Sequence, residues 1–149
     1  ITGRTGPLSL RAFPHATAIT VIMNSTGTAA LRLTSELDSD NTALESLRIF
    51  GYEGGVQIGG YNSTVRDTAA LMQLSHCKAL RELRLHHCGL TDLAFASGLS
   101  NLEILDVSGN RIEDVSPLTD LPKLRLFLSA DNAIQNIAVL RGRDLVISE

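Results

Sequence analysis

Histidine and cysteine, the usual side-chain ligands of zinc, gather twice in this chain, as His76-Cys77 and as His86-His87-Cys88. Asp106 follows His86 and supplies a carboxylate able to orient its imidazole as a general base, with Ser108 as the nearby hydroxyl. Residues 51–60 are rich in glycine, as phosphate-cradling loops are, but no Lys-Ser/Thr follows them. Asn24-Ser25-Thr26 and Asn62-Ser63-Thr64 have the form of N-glycan acceptors. Which of these groups can act depends on where the backbone places them.

The backbone is legible from a repeat. Segments beginning at Leu80, Leu102 and Leu124 superimpose at an offset of 22 residues. The first reads Leu80, Leu83, Leu85, Cys88, Leu90; the second Leu102, Leu105, Val107, Asn110, Ile112; the third Leu124, Phe127, Ser129, Asn132, Ile134. Each L-x-x-L-x-L run predicts a short strand, after which Asn or Cys turns the chain and bonds to neighbouring backbone. The rest of each unit returns over the outer face. In the second unit Ser116-Pro117 is a helix start, and Leu118 and Leu121 face inward. Leu90, Leu93, Phe95 and Leu99 do the same in the first.

Upstream the pattern loosens. Leu44, Leu47 and Ile49 predict another strand, with Tyr52 at the Asn position, and 36 residues separate Leu44 from Leu80. The excess over one period falls in residues 51–64, which hold five glycines and predict an insertion loop. Residues 68–74 return as a helical segment with Leu71, Leu74 and Cys77 inward. Residues 17–23 predict a strand with Val21 and Met23 inward, and 29–37 its return. Residues 1–16 have no period and are expected to be a degenerate repeat or cap. Residues 139–147 give a partial pattern only.

The run from Leu105 to Leu118, Leu-Asp-Val-Ser-Gly-Asn-Arg-Ile-Glu-Asp-Val-Ser-Pro-Leu, resembles the 22-residue class of leucine-rich repeats found in bacterial internalins and phosphatase regulatory subunits. The resemblance covers residues 80–140 well, 44–79 loosely and 1–43 poorly. It implies an α/β leucine-rich repeat solenoid, a horseshoe segment with a concave parallel sheet and short helices or 3₁₀ turns on the convex side. It also implies that the concave face binds other proteins.

On that frame most of the candidate chemistry disperses. Cys77 and Cys88 point to the core as buried thiols, His86 points to the concave solvent and His87 sits at the turn, so no tetrahedral metal set converges. His86 and Asp106 fall on neighbouring strands, but no activated nucleophile or oxyanion site stands beside them, so no catalytic residue is assigned. No cofactor is expected.

The repeat yields a surface instead. Leucines at offsets 0, 3 and 5 point inward, so offsets 2, 4 and 6 line the concave side, in rows about 5 Å apart. The rows are Ser46, Glu82, Ile104, Leu126; Arg48, Arg84, Asp106, Leu128; and Phe50, His86, Ser108, Ala130. Arg48, Phe50, Glu82, Arg84 and His86 form a charged and aromatic half, with Asp106 beside it. Ile104, Leu126 and Leu128 form an apolar half. These nine residues are the expected protein-binding face.

Bulk composition agrees. The 149 residues are 44% hydrophobic but only 4% aromatic, with no Trp, which suits a layered aliphatic core. Net charge is −3 with no basic stripe, which argues against nucleic acid as a partner. No apolar run reaches bilayer-crossing length, so direct membrane insertion is not expected. Two cysteines are too few for a disulfide scaffold. The sequons point outside the cell and the unpaired core cysteines inside, with the balance slightly toward inside. A start at Ile1 and the lack of polar end caps point to a fragment of a longer solenoid. The expected function is a non-enzymatic interaction module for a protein or peptide, as a scaffold, regulatory subunit or recognition domain. The alternative is a structural spacer in a stable assembly, which would rely on the outer face and the 51–64 loop as well.

Overall fold

The computed structural model describes residues 13, 15–22, 43–50 and 71–149. Six strands lie side by side in chain order, every neighbouring pair parallel: β1 (Ala18–Ile22), β2 (Ser46–Phe50), β3 (Glu82–His86), β4 (Ile104–Asp106), β5 (Leu126–Leu128) and β6 (Val146–Ser148). Leu47, Leu83, Leu105 and Phe127 stand opposite one another in register, as the repeat requires.

The inward offsets are core positions throughout. Leu44, Leu47, Ile49, Leu80, Leu83, Leu85, Leu102, Leu105, Val107, Leu124, Phe127 and Ser129 are all at most 3% exposed. Leu71, Leu74 and Cys77 join them from the outer side, as do Leu118 and Leu121. The coil beginning at Leu80 buries Leu80, Leu83, Leu85, Leu90, Leu93, Phe95 and Leu99. Each is worth about 2 kcal/mol when removed from water, so layered burial outweighs any single hydrogen bond in the coil. That burial exists only against neighbouring coils.

The outer connections carry 3₁₀ helices at Met72–His76, Ala94–Gly98, Ser116–Leu118 and Ile137–Leu140. Pro117 sits in the first turn of its helix, as expected. Asp92 and Asp114, 22 residues apart, accept the backbone N–H groups of Ala94 and Ser116 and so start two of these turns. Asn136 takes the same place one repeat later, where its amide donates to Asp114 at 2.6 Å and accepts from Val115 at 2.9 Å. This second polar ladder also has the 22-residue spacing, yet it is absent from the pattern read above.

The first ladder behaves as expected. Asn110 is buried; its Oδ1 accepts from the N–H groups of Cys88 and Leu90, each at 3.0 Å. Its Nδ2 donates to the carbonyls of Leu85 and Val107 at 2.7 and 2.6 Å. Asn132 serves Ile112 N–H and the Val107 and Ser129 carbonyls in the same way. At Cys88 the thiol donates to the His86 carbonyl at 3.2 Å and the Ile49 carbonyl at 3.8 Å. Both cysteines are buried and neither is in a disulfide.

Immediately before the ladder residue the chain must adopt a left-handed conformation. His87, Gly109 and Asp131, at 22-residue spacing, have φ of 50°, 71° and 57°. Only Gly109 does so without strain. The His87 ring lies against Gly109, and a Cβ there would approach it to 2.3 Å.

At the C-terminal side the structure extends the repeat. β6 pairs with β5, and residues 139–147 carry only a partial pattern because Leu126 aligns with Val146 after 20 residues instead of 22. Ser129, a hydroxyl in a core position, is served by β6: its N–H donates to the Ser148 carbonyl at 2.9 Å. Several sequence expectations lie outside the described residues: most of the cap at 1–16, Met23, the side chain of Val21, the return at 29–37, Tyr52, the 51–64 loop, and Asn24 and Asn62. No helix among the described residues is long and apolar enough to cross a membrane.

Asn110→Ala strands several buried backbone groups at once and should lower stability by about 3 kcal/mol or more, read from urea unfolding followed by circular dichroism. Gly109→Ala should lose about 1–2 kcal/mol from backbone strain alone, plus the displacement of His87. In a His87→Ala background that second part should vanish, giving a coupling energy of about 0.5 kcal/mol or more in a double-mutant cycle.

Candidate protein-binding face

Parallel stacking in register places Arg48 opposite Arg84 and Phe50 opposite His86, with Glu82 between Ser46 and Ile104 and Asp106 between Arg84 and Leu128. Two like-charged guanidiniums side by side require counter-charge, and Glu82 supplies it. Its carboxylate accepts Arg48 Nε at 3.1 Å and Arg48 Nη2 at 2.7 Å, Arg84 Nε at 2.5 Å and Ser46 Oγ at 2.8 Å. These bonds, first that from Arg48, hold the Glu82 carboxyl at a pKa of about 2, below its ordinary 4.5, against the opposing effect of burial. The same pairing raises the Arg48 pKa.

Asp106 continues the network. Arg84 Nη1 reaches its Oδ2 at 3.3 Å and His86 Nε2 lies 2.7 Å from the same oxygen. Ser108 donates both its backbone N–H and its hydroxyl to Oδ1, at 3.2 and 2.8 Å. A carboxylate only accepts, so His86 Nε2 is the donor. The Phe50 and His86 rings are tilted against each other at a centroid distance of 5.0 Å.

Eight of the nine expected residues retain access on the concave side: Arg48 is exposed, and Phe50, Glu82, Arg84, His86, Leu126 and Leu128 are half-buried, as is Ile104. Ile104 is half-buried in the row that leads through Leu126 to Val146, itself 64% exposed. Asp106 departs from the expectation. It lies on this face but is only 2% exposed, because Arg84, His86 and Ser108 close over its short side chain. It positions its neighbours and presents no surface of its own. Val146 was missed, since the 20-residue coil breaks the period that would have flagged it.

The arrangement bears on the two chemical readings. The His86–Asp106 pair forms, but Ser108 donates to Asp106 and not to the imidazole, so the hydroxyl has no general base. The Cys88 thiol faces backbone carbonyls in the core while His86 lies on the sheet face. No group of three or more His, Cys, Asp or Glu among the described residues is placed to hold a metal ion. The side chain of His76 lies outside the described residues.

A different set of charges runs along the strand entrances. Glu103 is bonded by Arg125 and lies 3.6 Å from Arg81, and Lys123 donates to Asn101 at 2.6 Å. These are exposed contacts between equal offsets of successive coils and contribute little individually.

Comparison with known proteins follows the same geometry. The family described as "Leucine Rich repeats (2 copies)" matches residues 78–120 and 100–142. Among solved structures, the chain is similar to internalin C2 of Listeria monocytogenes, with 24% identity, 80% of this chain and 50% of that one covered, and a TM-score of 0.51. It is similar to another internalin of that organism, inlF, with 22% identity, 85% and 40% coverage, and a TM-score of 0.56. A leucine-rich repeat protein of Leptospira interrogans aligns at 16% identity, 85% and 31% coverage, and a TM-score of 0.55. The chain thus spans half or less of the length of each. No curated protein sequence matches it. Domains of this kind are typically protein-binding and usually non-catalytic.

The low pKa of Glu82 makes its contribution depend on pH. Its folded pKa lies below the unfolded value, so the stabilisation is present above about pH 4.5 and is lost as pH falls toward 2. Glu82→Gln should therefore be less stable than the wild type at pH 7, by about 1–2 kcal/mol after allowing for the exposed Arg48 partner. The gap should close below pH 3, which thermal unfolding across pH will read. In its six-stranded parallel sheet with 3₁₀ turns outside it, the chain has the fold of a leucine-rich repeat solenoid segment like that of the internalins, and residues 78–142 carry the repeats that match the family.

Proposed function

We propose that this chain is a non-enzymatic interaction module that holds a protein or peptide on its concave sheet, in a scaffold, regulatory or recognition role. One observation carries the reading: Ile104, Leu126 and Val146 form a single row of accessible apolar side chains, with Leu128 beside it, directly next to anchored Arg and His groups. Apolar surface bordered by fixed polar groups is what a protein interface needs at its centre. The ion-pair network supports the same role by holding Arg84 and His86 in place, which reduces the ordering that binding would otherwise require.

The test is co-purification from the native source with mass spectrometry, comparing wild type with Leu126→Asp plus Leu128→Asp and with Glu113→Lys, an exposed position off the sheet in the connection between β4 and the 3₁₀ helix at Ser116–Leu118. The concave variant should keep its circular dichroism spectrum and lose a specific protein that the Glu113→Lys variant retains. An unchanged set of co-purifying proteins in the concave variant sinks the reading, and selective loss in the Glu113→Lys variant would move the binding surface off the sheet.

A further inference from the structure

Charge on the concave face is arranged by depth. The carboxylates lie low, with side-chain exposures of 14% for Glu82 and 3% for Asp106. The groups that bond to them ride above, with 44% for Arg48, 28% for Arg84 and 26% for His86. Each carboxylate oxygen already accepts two hydrogen bonds from described residues: Glu82 Oε1 from Arg48 and Arg84, Oε2 from Ser46 and Arg48, Asp106 Oδ1 from Ser108 twice, and Oδ2 from Arg84 and His86. The network consumes Nε and Nη2 of Arg48, Nε and Nη1 of Arg84, and Nε2 of His86. Arg48 Nη1 and Arg84 Nη2 stay outside it. Although its formal charges balance, this half of the face offers a partner the outer N–H groups of two guanidiniums above carboxylates whose oxygens are already bonded.

From this geometry we infer that the partner segment is acidic at one end and apolar at the other. Its carboxylate sits over Arg48 and Arg84, and an aliphatic or aromatic side chain covers Ile104, Leu126, Leu128 and Val146. The inference rests on the protein-binding reading of this face and adds the partner's chemistry and direction. From β3 to β5 is two strand spacings, roughly 10 Å, so in a segment extended across the strands the two anchors stand about three residues apart. Bidentate-capable guanidiniums favour a carboxylate over a neutral acceptor. A polyanion such as nucleic acid finds no cationic continuation on the apolar half, and the net charge of −3 opposes it.

The probe is a random dodecapeptide library displayed on phage, panned against the full chain and, in parallel, against Arg48→Gln and Leu126→Ser. Arg48→Gln leaves Glu82 bonded to Arg84 and Ser46, so the fold is retained, and circular dichroism checks this for both variants. The wild-type pool should be enriched in peptides pairing Asp or Glu with an aliphatic or aromatic residue. A representative peptide should lose about tenfold in affinity against Arg48→Gln, the loss expected for a charge-assisted hydrogen bond, and should weaken as salt rises. A pool without acidic enrichment, including one no richer than the unselected library, overturns the inference. If such non-acidic peptides are still lost with Leu126→Ser, the concave face binds peptides by other chemistry and the functional reading survives alone. Acidic peptides that bind Leu126→Ser and Arg48→Gln as well as wild type sit elsewhere, and both readings fall.

Discussion

A strand that ends in a tight turn, so that the next coil can lie parallel beside it, leaves backbone N–H and C=O groups where water does not reach. Satisfying them is the constraint on which the rest of this molecule depends. An unpaired buried amide loses about 1–3 kcal/mol, and each turn exposes several, so an unsatisfied turn would erase much of what a coil gains by burying its leucines. A side-chain amide meets the demand because it both donates and accepts, and Asn110 uses both ends. The left-handed residue before it, Gly109 in one coil and the strained His87 and Asp131 in others, aims the chain so that this can happen.

The concave face follows from the same stacking. Equal offsets of adjacent coils are forced together, so Arg48 and Arg84 cannot avoid each other, and a carboxylate must come between. Side-chain length then decides depth. Glu and Asp are short and stay near the sheet, whereas Arg keeps its aliphatic stem along the surface and its head in water. The result is a surface whose outward chemistry differs from its formal charge. In the other half no charged residue occupies the rows, and Ile104, Leu126, Leu128 and Val146 are left partly accessible.

The inward residues from Leu44 onward were readable because a leucine period and a buried face are the same fact seen twice. The membership of the concave rows was readable for the same reason. β6 was not, since its coil is two residues short and Asp144 stands where its 20-residue register calls for the counterpart of Leu124. The burial of Asp106 was hidden too, because the pattern tells which face a side chain takes but not which neighbours lean over it. The ladder of Asp92, Asp114 and Asn136 was present in the sequence at the full period; its polar residues are simply less conspicuous than leucines. His86 and Asp106 were paired correctly from strand adjacency alone, while the position of Ser108 on the carboxylate needed coordinates.

The ladder also has a direction. Asn110 reaches back to Cys88 and Leu90, and Asn132 reaches back to Ile112, so each coil's amides are served by the coil that follows it in the chain. A ribosome delivers these coils in the opposite order of service: the amides emerge first and their acceptor emerges a full turn later. Each coil's turn amides therefore have their side-chain acceptor only once its successor is in place, so the chain's closing bonds run against the direction of synthesis.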